Sequence, residues 1–168
     1  DADKDTLTYS ANATTAKGTV TVNAGTGAFT YTPNAAARHA AAKSTATAAD
    51  KTDTFTVTVA DGYGGTVAVP VTVTISPKNT APVLGTTTVG TPNANTGVVT
   101  GTVSATDADR DALTYSGNAT TTKGTVTVNA ATGAFTYTPT APARGAATTD
   151  SFTVTVTDGY GGTTPVTV

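Results

Sequence analysis

Residues 107–139 read DADRDALTYSGNATTTKGTVTVNAATGAFTYTP, and residues 1–33 read DADKDTLTYSANATTAKGTVTVNAGTGAFTYTP. Of these 33 positions, 28 carry the same residue 106 places apart. A second matched pair follows, DTFTVTVADGYGG at 53–65 and DSFTVTVTDGYGG at 150–162. It is 97 places apart, so the first copy holds nine extra residues between its blocks. A repeat of about a hundred residues is one domain per copy, long enough to close its own core, and not a coil of a solenoid.

Alternation within each copy sets the class. Strands are expected at 7–9, 19–22, 29–31, 55–59 and 67–75, and again at 113–115, 125–128, 135–137, 152–156 and 163–168. In FTVTV the apolar side chains fall on one face and Thr on the other, the pattern of a sheet with one buried face. NAGTG at 23–27 reads as a hairpin loop with Gly27 at positive φ, and DGYGG at 61–65 as a second turn. The fold class is therefore all-β: tandem Greek-key, Ig-like β-sandwich domains of about seven strands each.

SPKNTAP at 76–82 punctuates the chain with two prolines. The expected division is a first repeat at 1–77, a linker at 78–82 and a second repeat at 83–168. Residues 83–106 should supply one or two strands before Asp107. Nothing equivalent precedes Asp1, so the first repeat is expected to lack its opening strands, and the second to stop short of its end. This reads as a window on a longer array, or as a repeat that borrows a strand from a neighbouring chain. The Ala-rich stretch at 35–51 favours a short helix. Its counterpart APARGAATT, with Pro and Gly, argues against one, so the segment reads as a variable loop.

The composition excludes several functions. There is no Cys, Met or Trp, and no Glu or Gln. Net charge of -2 and a pI near 5.0 leave no basic footprint for nucleic acid. No apolar run approaches the ~20 residues of a membrane span, so membrane insertion of this segment is not expected. With one histidine, His39, and neither Cys nor Glu, neither a catalytic triad nor a zinc site can be assembled. No enzyme is expected.

All 11 acidic residues are Asp, and ten of them recur at matched positions. Asp1, Asp3, Asp5, Asp53 and Asp61 pair with Asp107, Asp109, Asp111, Asp150 and Asp158; Asp50 is unmatched. An Asp-x-Asp-x-Asp loop crowds three short carboxylates, which repel one another. A hard cation with oxygen ligands, Ca²⁺ above all, relieves that repulsion. Asx-turns, in which each Asp caps its own backbone, are the competing use of the same residues.

The order of these motifs resembles the cadherin signature. It runs ATDAD to LTYS (105–116), GTVTV (124–128), Asp150 before FTVTV, TDG (157–159), and an Asn-x-Ala-Pro linker (79–82). It is most similar to bacterial cadherin-like or VCBS-type repeats of large surface adhesins. RHAAA at 38–42 with ADKTDTFTVTV at 49–59 is similar to the actinobacterial type. The resemblance implies a Ca²⁺ site where Asp107, Asp109 and Asp158 meet Asn79, with Asp53 reaching toward it from the first repeat. Asp1, Asp3 and Asp61 would face a preceding repeat, and Asp5 and Asp111 would complete a loop site or cap a turn. The family's Glu ligands are absent, and Lys4 and Arg110 stand where relatives place Gly. This implies one or two weakly held ions per junction, with dissociation constants of ~10⁻⁴–10⁻³ M. The implied function is a calcium-stiffened spacer of a cell-surface or secreted bacterial adhesin. Its partners would be neighbouring repeats and, through other regions, a host or cell-surface ligand. The alternative is a module that itself binds carbohydrate or a homophilic partner, or a fibre subunit assembled by strand exchange.

Overall fold

The computed structural model describes residues 3–144 and 148–168. The chain divides into two compact units, Asp1–Lys78 and Asn79–Val168. In unit 1 the strands are β1 (Thr8–Ala11), β2 (Gly18–Val22), β3 (Phe29–Pro33), β4 (Thr52–Ala60) and β5 (Thr66–Thr74), with helix α1 (Ala35–Ala42) between β3 and β4. One sheet runs β1-β4-β5 and the other pairs β2 with β3, all antiparallel. Each strand falls where alternation placed one. On β4, Phe55 and Val57 are buried while Thr54 and Thr56 are exposed, so FTVTV presents one face to the core.

The loops follow from short polar side chains. Asn23 Oδ1 accepts from the amides of Gly25 and Thr26, each at 3.0 Å, which closes the β2–β3 hairpin. Gly27 takes φ 72, as expected, and lies against the Tyr9 ring. α1 starts at Asn34, whose Oδ1 accepts from Ala37 N at 2.7 Å. It buries Ala37 and Ala41 on Ile75.

In unit 2 the strands are β6 (Val83–Val89), β7 (Val99–Thr106), β8 (Thr114–Gly117), β9 (Gly124–Val128), β10 (Ala134–Pro139), β11 (Thr153–Thr157) and β12 (Thr163–Thr167). The sheets run β6-β7-β10-β9 and β12-β11-β8. Between them lies a core of Val103, Tyr115, Val126, Phe135, Phe152, Val154 and Val156, drawn from both sheets. Residues 83–106 thus supply two strands. A one-turn helix, α2 (Ala141–Arg144), forms where Pro and Gly argued against one. Pro142 falls in the first turn, where an amide has no intrahelical acceptor, so its missing N–H costs little.

Phe29 and Phe135 occupy the same place in the two copies and have different surroundings. Phe135 is 3% exposed and Phe29 44%. In unit 2, β7 pairs with β10 and sets Gly101 opposite Phe135, so close that a Cβ on Gly101 would meet the ring. Among the described residues of unit 1, no strand lies on that side of β3.

Candidate metal centre

The strongest carboxylate cluster within one unit lies where three loops of unit 2 converge. Asp107, Asp109 and Asp111 follow β7. Asp158 follows β11, and Asn79 and Thr80 open the unit. Asp107 turns its own loop: Oδ1 accepts from Asp109 N at 2.8 Å and Asp111 N at 3.3 Å. Arg110, between them, sits at φ 66, and Lys4, its counterpart, at φ 65. A lysine and an arginine are thus held in the left-handed conformation that only Gly enters without strain.

Asp158 is 2% exposed, the one buried charged residue among those described. Its Oδ1 accepts from Tyr160 N at 2.7 Å and Gly162 N at 2.9 Å, and its Oδ2 from Asn79 Nδ2 at 2.7 Å. Gly162 is required there, because a Cβ would overlap the Asp158 carboxylate. Asp109 Oδ2 accepts from Thr80 N at 2.8 Å. Carboxylate oxygens of Asp107, Asp111 and Asp158 all lie within 4.8 Å of one another. Two oxygens beside them, Asn79 Oδ1 and Asp107 Oδ2, are buried and accept no hydrogen bond. Such orphaned acceptors are uncommon in folded proteins and call for a partner. An all-oxygen set of this kind fits a hard divalent cation and no soft one.

In unit 1, Asp61 caps its turn as Asp158 does, accepting from Tyr63 N at 2.8 Å and Gly65 N at 2.9 Å. Asp3 and Asp5 lie on the matching loop. Asp1, the counterpart of Asp107, falls outside the described residues.

A family model described as "Bacterial cadherin-like domain" matches residues 1–77 and again 79–168. The chain belongs to the bacterial cadherin-like domain family. Solved structures similar to it include cadherin domains 1–5 of Protocadherin Gamma B2, at 13% identity and TM-score 0.47, covering 97% of this chain and 31% of that one. Domains EC1-2 of human Protocadherin-24 align over 100% of this chain and 82% of theirs, at 18% identity and TM-score 0.43. An endo-fucoidan hydrolase of glycoside hydrolase family 107 aligns at 18% identity and TM-score 0.37, over 98% of this chain and 23% of that one. The chain thus spans 31% of the gamma B2 structure's length. No curated protein matches it. No helix among the described residues is long and apolar enough to cross a membrane.

Five acids in each cadherin-like repeat were expected as metal candidates, and one of the five, Asp53 in the first and Asp150 in the second, is engaged elsewhere in the fold. Asp53, on β4, accepts from Thr15 Oγ1 at 2.5 Å, Tyr31 OH at 2.8 Å and Thr54 N at 2.9 Å. Asp150 accepts from Thr121 Oγ1, from Tyr137 OH at 2.9 Å, and from the amides of Lys123 and Ser151 at 3.2 and 3.0 Å. In both units a tyrosine of one sheet is tied to an acid of the other side: Asp53 lies near the start of β4, and Asp150 in the segment that leads into β11. Burial raises the Asp53 carboxyl, but hydrogen bonds from Thr15, Tyr31 and Thr54 outweigh it and hold it below its ordinary value. The Thr121 bond leads in lowering Asp150 to about 2. Burial, then Asp53, pushes Tyr31 up to about 12, and Tyr137 is raised by burial and Asp150.

The sign of the pH effect follows. A lowered carboxyl adds stability above its ordinary value of 3.8 and loses it as the pH falls toward 2. A raised phenol adds stability below its ordinary 10.0 and loses it once the pH is high enough to ionise it in the fold. The cost of Tyr137→Phe, read by urea denaturation, should therefore be largest near neutral pH, and should shrink as Asp150 is protonated toward pH 2 and again in strong alkali, where the raised Tyr137 phenol ionises. A cost that does not vary with pH would show that the phenol–carboxylate bond adds nothing.

Proposed function

We propose that the chain is a pair of extracellular, non-enzymatic spacer repeats of a bacterial surface protein. Ca²⁺ would be held at the start of unit 2 by Asn79, Asp107, Asp111 and Asp158, with Asp109 beside them. The observation that carries this is the pair of buried, unpartnered oxygens on Asn79 and Asp107 beside three converging carboxylates. The ion would supply the positive charge that these acids lack. Because the site exists only when the loops are folded, binding adds to stability. Asp3, Asp5 and Asp61, with Asp1, would be the matching candidates in unit 1. Asp53 and Asp150 serve the fold through Tyr31 and Tyr137 and stand outside this ligand set.

The same carboxylates anchor the start of the unit. Asn79 is bonded to Asp158 and Thr80 to Asp109, and Thr164 Oγ1 donates to Pro82 O at 2.6 Å. Neutralising the acids therefore firms the attachment of residues 79–82, and this is how an ion would stiffen an array. Calorimetric titration tests the assignment. Ca²⁺ should bind the chain with a dissociation constant of ~10⁻⁴–10⁻³ M. Asp107→Asn keeps the loop's hydrogen-bond acceptor and removes only charge, and should weaken binding roughly tenfold, as should Asn79→Ala. Binding left unchanged by both variants would place the ion elsewhere.

A further inference from the structure

Val67 and Val69 of β5 pair with Val59 and Val57 of β4 and so point to the core side, yet they are 63% and 41% exposed. Phe29, on β3, packs on the buried Phe55 and is also open. β3 pairs with β2 along one edge, and among the described residues its other edge carries no strand. Ala28 O accepts from Asn23 N on the β2 side. Strand amides alternate in direction, so those of Phe29 and Tyr31 face the bare edge. Unit 2 shows the same surface covered. GAFTYTP recurs at 27–33 and 133–139. β2 pairs with β3 as β9 pairs with β10, Val22 opposite Phe29 and Val128 opposite Phe135. Gly27 N donates to Asn23 O at 2.9 Å and Gly133 N to Asn129 O at 3.0 Å, with the two glycines at φ 72 and 68. On β10 the matching edge is taken by β7, with β6 beyond it.

What β7 brings to that edge is specific. It sets Gly101 opposite Phe135, where a Cβ would meet the ring, and Val99 opposite Tyr137. Two residues on, Val103 donates its amide to Gly133 O at 3.0 Å and is fully buried in the core. β6 adds Leu84 to the same core, and Val166, the counterpart of Val69, is half-buried there. We propose that the bare edge of β3 is an acceptor site for one added β-hairpin with the chemistry of residues 83–106. Its inner strand carries Val-x-Gly-x-Val, with the glycine on Phe29, and its outer strand covers the side where Val67 and Val69 lie open. Main-chain hydrogen bonds to β3 hold the strand, and the glycine selects it. A second copy of this chain is not the occupant. Its β7 already closes its own unit 2, and moving it would open one repeat to close another. The site adds a binding activity to the spacer reading and does not depend on an ion.

A synthetic peptide of residues 83–106 is titrated into the full, isotope-labelled chain in excess chelator, and amide shifts are followed by NMR residue by residue. Shifts should gather at residues 27–32 and 67–69, and hydrogen exchange at the amides of Phe29 and Tyr31 should slow. A peptide with Gly101→Val keeps the strand pattern but drives a branched side chain into the Phe29 ring. It should bind at least about tenfold more weakly. Phe29→Ala in the chain makes room for that side chain and should restore part of the binding of the Gly101→Val peptide. No shifts with the parent peptide, shifts confined to unit 2, or equal binding of the two peptides would overturn the proposal. So would concentration-dependent dimerisation of the chain alone, which would assign the strand to a second copy. With chelator present, none of these outcomes turns on whether the carboxylates bind Ca²⁺.

Discussion

Asp158→Ala should destabilise unit 2 by about 3–5 kcal/mol, because each buried donor stripped of its acceptor costs about 1–3 kcal/mol. The side chain is buried and satisfies three donors: the amides of Tyr160 and Gly162 and the Nδ2 of Asn79. Truncation leaves all three inside the protein with nothing in place of the carboxylate. Asp61 offers an internal comparison. It makes the same two backbone bonds, to Tyr63 and Gly65, on a half-buried turn where water can replace it. Asp61→Ala should cost about 1 kcal/mol. Urea denaturation followed by residue-resolved NMR separates the two units. Equal costs at the two sites would mean that the burial of Asp158 contributes nothing.

Phe135→Ala should cost unit 2 about 3–5 kcal/mol, and Phe29→Ala should cost unit 1 about 1 kcal/mol. Sequence gives no reason for the difference, since both residues lie in the same GAFTYTP block. Phe135 packs edge-on against Phe152 at 5.2 Å and is roofed by Gly101 of β7. Phe29 makes the equivalent pair with Phe55 at 5.3 Å but is open on its other side. Removing Phe135 leaves a closed cavity; removing Phe29 widens an already exposed surface. The same denaturation experiment on both variants checks this, and a similar cost for the two would show that β7 adds nothing to the packing of Phe135.

What the sequence made legible was local. Period-two alternation of Thr with Val and Phe placed the strands to within a few residues, because burial of one sheet face leaves that mark directly on the chain. Gly27 was legible for a similar reason: the turn dictates the backbone conformation and the residue type records it. Arg110 at φ 66 was not, since its residue type argues against that conformation and only the resemblance pointed to it. The convergence of Asn79, Asp107 and Asp158 was different. Asn79 is 79 residues from Asp158, and only family resemblance brought the two together before the structure did so at 2.7 Å. The role of Thr80 was invisible, because its contribution is a main-chain amide that any residue but Pro would supply. Asp53 and Asp150 show the limit most clearly. Their matched positions marked them as important, but their partners lie on the opposite sheet. Thr15 and Thr121, and Tyr31 and Tyr137, also recur in both copies, and that was the available signal.

The central claim is that Ca²⁺ occupies the oxygen cluster of unit 2, and thermal melting tests it most directly. The chain is melted in chelator, in Ca²⁺ and in Mg²⁺, with Asp107→Asn alongside. At ten times the dissociation constant, Ca²⁺ should stabilise unit 2 by about 1.4 kcal/mol and raise its Tm by roughly 5–10 °C. Mg²⁺, which demands a tighter octahedron, should do much less, and Asp107→Asn should lose most of the shift. No shift with Ca²⁺, or an equal shift with Mg²⁺, would contradict the account.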